Sequence, residues 1–309
     1  MKYLTRLLLV PLLALLAAAS VFAAAPPAGT MVRLHTTQGP IDMRLLDAQA
    51  PVTVANFLAY TRGGDYSDVF FHRSAWLGAP EPAAPTPFVL QAGGFKWPSS
   101  ASCCSFVAGS PNLVASRGTI QNEFSPARSN VRGTVAMAKV GNDPNSATNQ
   151  WFINMTDNAA NLDNQNGGFS VFARVTAPGM FVADRISKFD RLHNSAPIDN
   201  LPLQNWHTGS GVFRSNFVLI NSVTELAVNP GTIDRVFNYL EAAYFGYVGS
   251  QPTATGEAYY FTYRFYADAN SYLGEKDGHI WYYAPAWMTS VYDLGTTESW
   301  LATAAANGY

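Results

Sequence analysis

Apolar and polar residues alternate over Met31–Thr36 and again over Ile41–Leu46, on either side of Gln38-Gly39. Successive side chains of a strand point to opposite faces, so this period of two predicts a β-hairpin. The period then lengthens. Pro51 suits the first turn of a helix, and Val54, Phe57, Leu58 and Thr61 follow at helical spacing until Gly63-Gly64 stops it. Short strands are predicted around Val69–Arg73, Phe88–Gln91, Thr134–Ala138, Trp151–Met155 and Ser170–Val175. A second helix, about Met180–Ser187, carries Met180, Val182, Ala183 and Ile186 on its apolar side, and Phe217–Val223 supplies a closing strand. Many short strands with only two helices read as mainly β. Periodicity alone goes no further than that.

From about Ala227 the character changes. Ile233, Val236, Phe237, Leu240 and Tyr244 recur at three- and four-residue spacing after Thr232, which predicts a helix. An aromatic tract follows at Tyr259-Tyr260-Phe261-Thr262-Tyr263-Arg264-Phe265-Tyr266, and Asp277-Gly278 signals a tight turn before His279-Ile280-Trp281-Tyr282-Tyr283. A helix with a small twisted sheet fits this stretch. Its tyrosines suggest carbohydrate or surface binding, although aromatics in so small a domain more commonly form its core.

The other end of the chain has the layout of a cleaved leader. Lys2 and Arg6 precede an apolar run from Leu7 to Ala19, and small residues at Val21-Phe22-Ala23 and Ala23-Ala24-Ala25 offer cleavage after Ala23 or, next, after Ala25. The competing reading is a retained anchor, but the run is short for a span of ~20 residues. Losing Lys2 and Arg6 takes the formal charge from −2 to −4, leaving a mildly acidic exported protein. Hydrophobic residues make up 48% and charged residues 13%, which excludes a disordered chain, and the small negative charge gives no case for nucleic acid or an anionic membrane as partner.

The candidate chemistry lies between Phe70 and Phe172. Five motifs occur in order: Phe71-His72-Arg73; Phe88-Val89-Leu90-Gln91-Ala92-Gly93-Gly94-Phe95; Arg132-Gly133-Thr134-Val135-Ala136-Met137-Ala138; Ser146-Ala147-Thr148-Asn149-Gln150-Trp151-Phe152-Ile153-Asn154; and Leu162-Asp163 with Val171-Phe172. Together they resemble the cyclophilin family of peptidyl-prolyl cis/trans isomerases, particularly its exported bacterial branch. The resemblance covers roughly Met31 to Leu226. It implies a closed eight-stranded antiparallel barrel capped by two helices, with a small α+β module appended. The chain then divides into a signal peptide (1–23), a linker (24–30), an isomerase domain (31–226) and a C-terminal module (227–309).

The resemblance also implies roles. Arg73 matches the cation that hydrogen-bonds the substrate around the prolyl carbonyl, and Gln91 matches the amide that orients it and contacts the substrate backbone; these are the catalytic candidates. Phe88, Val89, Phe152 and Leu162 match the proline pocket, with Val89 where Met is commoner. Ala138 and Lys139 match the saddle for the substrate's main chain, Gln150 matches a further backbone contact, and His72 is expected to pack beneath Arg73 and shape the site. No cofactor or metal is implied. The partners are proline-containing exported polypeptides, met in the periplasm or outside the cell, with no stable membrane anchor once the leader is removed.

Three departures stand out. Asn161 precedes Leu162-Asp163 where a cyclosporin-binding Trp is common, so weak cyclosporin binding is expected. The usual His after Leu-Asp is missing, and Phe169 is its nearest counterpart. Trp76 to Pro87 lengthens the connection between Arg73 and Phe88; it reads as a surface loop, a specificity loop or lid, or an insertion that displaces Arg73.

Other chemistries do poorly. The residues His35, His72, His193, His207 and His279 are scattered without ligand spacing, and neither a G-x-S-x-G elbow nor a phosphate-binding glycine loop occurs. Gly93-Gly94 reads as the turn after the Gln91 strand. Asn154-Met155-Thr156 fits a glycosylation triplet but falls in a predicted core strand. Cys103 and Cys104 are adjacent and leave three options: a strained vicinal disulfide with a redox role, free thiols, or intermolecular pairing. The main rival to an isomerase is a barrel of the same fold that binds proline segments with weak or no turnover.

Overall fold

The computed structural model describes residues 29–78, 85–97, 112–193, 198–227 and 233–309. The leader, most of the linker, the tip of the Trp76–Pro87 connection and both cysteines lie outside the described residues. Two compact units divide the chain, one spanning Gly29–Glu225 and the other containing Leu226–Tyr309.

The first unit opens with the expected hairpin, β1 (Met31–Thr36) and β2 (Gly39–Leu45), in unbroken register from Met31↔Arg44 to Thr36↔Gly39. Every β2 residue is buried, on both faces. Ile41, Met43 and Leu45 face the core, while Asp42 takes a two-pronged ion pair from Arg33, Nε to Oδ1 at 2.7 Å and Nη2 to Oδ2 at 2.8 Å, with side chains 0% and 1% exposed. Two parallel charge-assisted hydrogen bonds are what make such a buried pair tolerable. Helix α1 (Pro51–Arg62) follows, with Pro51 in its first turn as expected. Its N-terminus is capped from a distance: the Glu123 carboxylate accepts hydrogen bonds from Val52 N, Thr53 N and Thr53 Oγ1 at 3.1, 2.7 and 2.6 Å. A carboxylate there satisfies orphan amides and complements the helix dipole.

Next come β3 (Val69–Phe70), β4 (Arg73–Leu77), β5 (Thr86–Ala92), β6 (Phe95–Lys96), β7 (Asn112–Leu113), β8 (Thr134–Met137) and β9 (Trp151–Asn154). A short helix α2 (Ala159–Leu162) precedes β10 (Val171–Val175) and helix α3 (Ala177–Ser187). The small hairpin of β11 (Asp190–Leu192) and β12 (Leu201–Leu203) leads to β13 (Leu219–Leu226). The main sheet runs β4-β5-β9-β8-β10-β2-β1-β13-β3 and on to β6 and β7.

Because β3 and β4 are successive parts of one stretch, the two ends of that order meet. Phe70 pairs with Leu219 of β13 and Phe71 N donates to Val218 O; one residue later His72 N donates to Gln91 O and Arg73 pairs with Gln91 of β5. Residues 69–77 therefore stitch β13 to β5 and close an eight-stranded antiparallel barrel, which removes its open edges. Val32, Leu34, Ile41, Met43, Leu90, Trp151, Ile153 and Phe172 fill it together with α1 residues Val54, Phe57 and Leu58 and α3 residues Val182, Ala183 and Ile186. Helix α3 lies over β2 at Gly179, where a Cβ would sit 3.1 Å from the Asp42 main chain and 2.8 Å from Val175.

In the second unit, α4 (Asp234–Ala243) and α5 (Phe245–Val248) precede an antiparallel meander of β14 (Ala254–Ala258), β15 (Phe261–Tyr266), β16 (Ser271–Lys276), β17 (His279–Tyr283) and β18 (Tyr292–Thr296), followed by α6 (Thr297–Ala306). Asp277 and Gly278 adopt left-handed φ values of 54° and 76°, the conformation a two-residue hairpin turn requires. The aromatic tract divides. Tyr259 and Tyr260 form an exposed turn rather than strand, Tyr266 joins the core with Tyr282, Trp300 and Tyr309, and Phe261, Tyr263, Tyr272, Trp281 and Tyr283 line an open cavity of about 580 Å³ on the other face. Arg264 crosses to α4, donating from Nη1 to Asn238 and Glu241 and from Nη2 to Asp234.

Candidate active site

One row of residues crosses the barrel wall on the face turned away from the core. Arg73 of β4 stands opposite Gln91 of β5, Gln91 opposite Phe152 of β9, Phe152 opposite Ala136 of β8, and Ala136 opposite Val171 of β10. Directly opposed residues of an antiparallel pair share a face with Cβ atoms ~4.5–5.5 Å apart. Strand alternation produces the row: Leu90 and Ala92 of β5, Trp151 and Ile153 of β9, and Val135 and Met137 of β8 point into the core, so their neighbours point out.

The apolar members form a cluster of their own, separate from the barrel interior. Ala75, Val89, Ala136, Phe152, Leu162 and Val171 are its buried residues, with Leu46, Phe88, Ala138 and Phe169 packed partly exposed against them. All five apolar site candidates, Phe88, Val89, Ala138, Phe152 and Leu162, thus meet in one place. Phe169 puts its ring edge-on to Phe152 with centroids 5.7 Å apart.

A buried amide network holds this wall from behind. Asn158 Nδ2 donates to Phe88 O and to Asn154 Oδ1, and Asn154 Nδ2 donates to Asn130 Oδ1 and Thr134 Oγ1. Asn130 in turn donates to Asp163, which also accepts from Ser129. Burial alone would raise the Asp163 carboxyl, but these hydrogen bonds hold it below its ordinary value. Asn154 is wholly buried and bonded on both sides of its amide, so its glycosylation triplet is closed to modification in the folded protein.

At the polar end, Arg73 is 33% exposed and its Nε lies 3.1 Å from both carboxylate oxygens of Asp199, itself 31% exposed. Gln91, expected to orient Arg73, instead donates from Nε2 to Gln150 Oε1 at 2.9 Å. The group bonded to Arg73 is thus Asp199, from the loop before β12. Sequence reading missed it because no local motif marks a lone Asp 126 residues away. Gln150 is seated over Gly94, where a Cβ would come within 2.7 Å of its amide, so Gly94 has a packing role besides the turn at Gly93, whose φ is 93°.

His72 is buried, as expected, with its ring edge-on to Phe95 at 4.7 Å and its Nδ1 unpartnered among the described residues. Burial and then the Arg73 guanidinium push its pKa down to about 3, with Asp199 and Gln150 working the other way. It is therefore neutral beside the arginine. The Lys139 ammonium turns away from the row, donating to Asn166 O and Gly168 O at 2.7 and 2.6 Å and sitting 4.7 Å from the Phe169 ring centre. Only its main chain is left for the expected saddle.

The long Arg73–Phe88 connection leaves the row in register. It extends the β4–β5 hairpin through Trp76↔Pro87 and Leu77↔Thr86, with a bulge after Ala75, while Arg73↔Gln91 stays paired at the opposite end. Arg73 lies four residues from the end of β4, ~13 Å at strand rise.

The family model described as cyclophilin type peptidyl-prolyl cis-trans isomerase/CLD matches residues 31–208. Peptidyl-prolyl cis-trans isomerase cyp18 of Streptomyces antibioticus is 37% identical over 183 residues, covering 56% of this chain and 95% of that protein. Peptidyl-prolyl cis-trans isomerase A of Dickeya dadantii is 35% identical over 195 residues, covering 62% and 88%. A solved cyclophilin type isomerase from Cryptosporidium parvum superposes with a TM-score of 0.45 at 20% identity, over 66% of this chain and 100% of that one. The chain belongs to the cyclophilin-type peptidyl-prolyl cis/trans isomerases.

Proposed function

We propose that this isomerase turns over X-Pro bonds along the Arg73–Gln91–Phe152 row, and that its substrates are exported polypeptides. Rotation about an X-Pro bond is slow because it breaks amide resonance at a barrier of ~18–20 kcal/mol. No covalent step is needed; the protein must bind the twisted amide better than either planar form. In the twisted state the proline nitrogen regains a lone pair and the preceding carbonyl loses conjugation. The Arg73 guanidinium stabilises that charge distribution, the Phe88–Val89–Phe152–Leu162 cluster holds the proline ring, and Gln91 and Gln150 take the peptide backbone. Stabilising the twisted amide by about 6–8 kcal/mol accelerates exchange ~10⁴- to 10⁶-fold.

The cross-strand pairing of Arg73 with Gln91 and of Gln91 with Phe152 carries this reading, since it sets a cation beside an apolar cluster on one face. Exchange spectroscopy on an Ala-Pro peptide tests it: wild type accelerates cis/trans exchange and Arg73→Ala loses the rate with little loss of peptide affinity. Equal, near-background exchange from both proteins, with peptide still bound, would make the row a recognition surface instead.

The exported role rests on the leader-like N-terminus, with Lys2 and Arg6 before an apolar run and small residues at Ala23 and Ala25. We infer a periplasmic or extracellular protein that assists the folding of other exported chains. Cell fractionation with N-terminal sequencing of the mature protein tests this; an intact Met1 on a cytoplasmic protein would refute it.

A further inference from the structure

We propose that Asp199 is a positioning residue for this isomerisation: its carboxylate holds the Arg73 guanidinium by the Nε edge and leaves both Nη groups for the X-Pro amide. The proposal rests on the reading of Arg73 as the cation that acts on the twisted bond. Its first support is the geometry of the contact. Both Asp199 oxygens are 3.1 Å from Nε, and the Arg73 Nη groups make no hydrogen bond among the described residues. The structural pair of the same barrel differs. Arg33 gives Nε and Nη2 to separate oxygens of Asp42, which occupies the donor fork and seals it in the wall. Arg73 is gripped from one side only.

The second support is that Asp199 is held in place relative to the strand it serves. Asn200, with φ at 54°, turns its carbonyl to accept Ser74 N at 2.9 Å, one residue beyond Arg73 on β4. Its side chain receives a contact from His193 Nδ1 at 2.8 Å and donates to Asp199 Oδ2 at 3.2 Å. Asn tolerates this left-handed backbone better than most residues. Trp76 Nε1, further along β4, donates to Ser187 O at the end of α3. Asn200, next to Asp199, is thus fastened to the strand carrying Arg73, which keeps the carboxylate within reach of the guanidinium.

The third support is the engagement of Gln91. Its amide nitrogen donates to Gln150 and not to a neighbour of Arg73, so among the described residues Asp199 is the hydrogen-bonding partner of the guanidinium. A guanidinium on a long flexible stem loses much of its effect when its orientation is not set beforehand. With both side chains about one-third exposed, water screens the pair, so the carboxylate offsets only part of the arginine's positive field.

The test uses the full chain, an Ala-Pro peptide, and Asp199→Ala and Asp199→Asn, each alone and with Arg73→Ala. Asp199→Ala is expected to lower kcat about tenfold with KM changed less than about twofold, because orientation is lost and binding is not. Asp199→Asn keeps an oxygen that accepts from Nε and is expected to recover most of that loss. In the Arg73→Ala background, Asp199→Ala is expected to cost nothing further; a loop acting merely as structure would lower the rate in both backgrounds. A wild-type or faster rate in Asp199→Ala overturns the proposal and makes the carboxylate neutral or inhibitory. If Arg73→Ala collapses the rate and Asp199→Ala does not, only the role of Asp199 falls. If Arg73→Ala itself turns over normally, both readings fall together.

Discussion

Gln91 faces Arg73 across β4 and β5, yet its amide hydrogen goes to Gln150, 59 residues along the chain. The glutamine pair forms a crosspiece between the arginine and the apolar cluster, and it fixes which atoms each amide presents to a peptide. Gln150→Ala removes the acceptor and frees the Gln91 side chain to rotate. A single neutral hydrogen bond is worth ~1 kcal/mol, so stability is expected to fall by no more than that, and kcat/KM by up to about fivefold as the amide loses its set orientation. Peptide exchange and a melting curve on the same sample check this; no loss of rate would mean that the crosspiece is incidental.

Phe152 touches the proposed proline pocket and closes its floor against Phe169. Phe152→Ala is expected to raise KM for proline peptides strongly and to destabilise the barrel by about 3 kcal/mol. Urea unfolding and peptide titration separate the two effects. Normal affinity in a destabilised variant would move the proline to another part of the surface.

By the resemblance to the family, Asn161 stands where a cyclosporin-binding Trp is common. An amide on the short helix α2 does not supply that donor and ring, and inhibition is expected only at micromolar or higher drug. Asn161→Trp is expected to tighten it by at least tenfold, about one well-made hydrogen bond with its apolar area. Nanomolar inhibition of the unmodified protein, measured by calorimetry or exchange, would count against the assignment of this position.

His72 gives the barrel a specific acid weakness. An unfolded histidine titrates near 6.5, whereas burial and Arg73 hold the folded ring down to about 3. Between those values the unfolded chain binds a proton that the folded chain does not, so stability falls as pH drops through that window and is fully present above it. The slope approaches ~1.4 kcal/mol per pH unit from this group alone. Asp163 and Glu225, whose carboxyls are held low, add to the acid loss, so the useful quantity is the difference from His72→Leu. Its urea midpoint should fall less steeply from pH 7 to pH 4 than that of wild type. Parallel curves would show that the ring titrates in the folded state.

Glu123 caps α1 from 70 residues away through Thr53 and its neighbour Val52. Glu123→Ala is expected to cost about 1–2 kcal/mol of stability. Peptide binding should not change, because α1 packs into the barrel interior and not against the Arg73 row. A variant that melts like wild type would assign the cap to solvent.

The apolar side of the site was legible in the sequence because it obeys local rules. Val89 and Phe152 alternate with Leu90, Trp151 and Ile153, so once the strands are found, the partition between core and outer face follows. The eight-stranded barrel, in contrast, came from the resemblance and not from periodicity, and its closure depends on residues 69–77 changing partners between Phe71 and His72, which no hydrophobic pattern announces. The electrostatics were least legible. Asp199 reaches Arg73 and Glu123 reaches Thr53 only because loops distant in sequence dock there, and a lone acidic residue carries no mark of its eventual partner. Lys139 fits the family's pattern by position, yet carbonyls at Asn166 and Gly168 draw its ammonium elsewhere.

The strand that closes the barrel is also the strand that carries the arginine. Its hydrogen bonds pass from Val218 to Gln91 within two residues, immediately before Arg73. Any parting of β13 from β5 must begin there and would carry the guanidinium out of line while most of the wall stayed intact. Loss of turnover should then precede loss of overall structure on heating or in mild denaturant, and the rate of proline exchange becomes a sensitive gauge of whether the cylinder is shut.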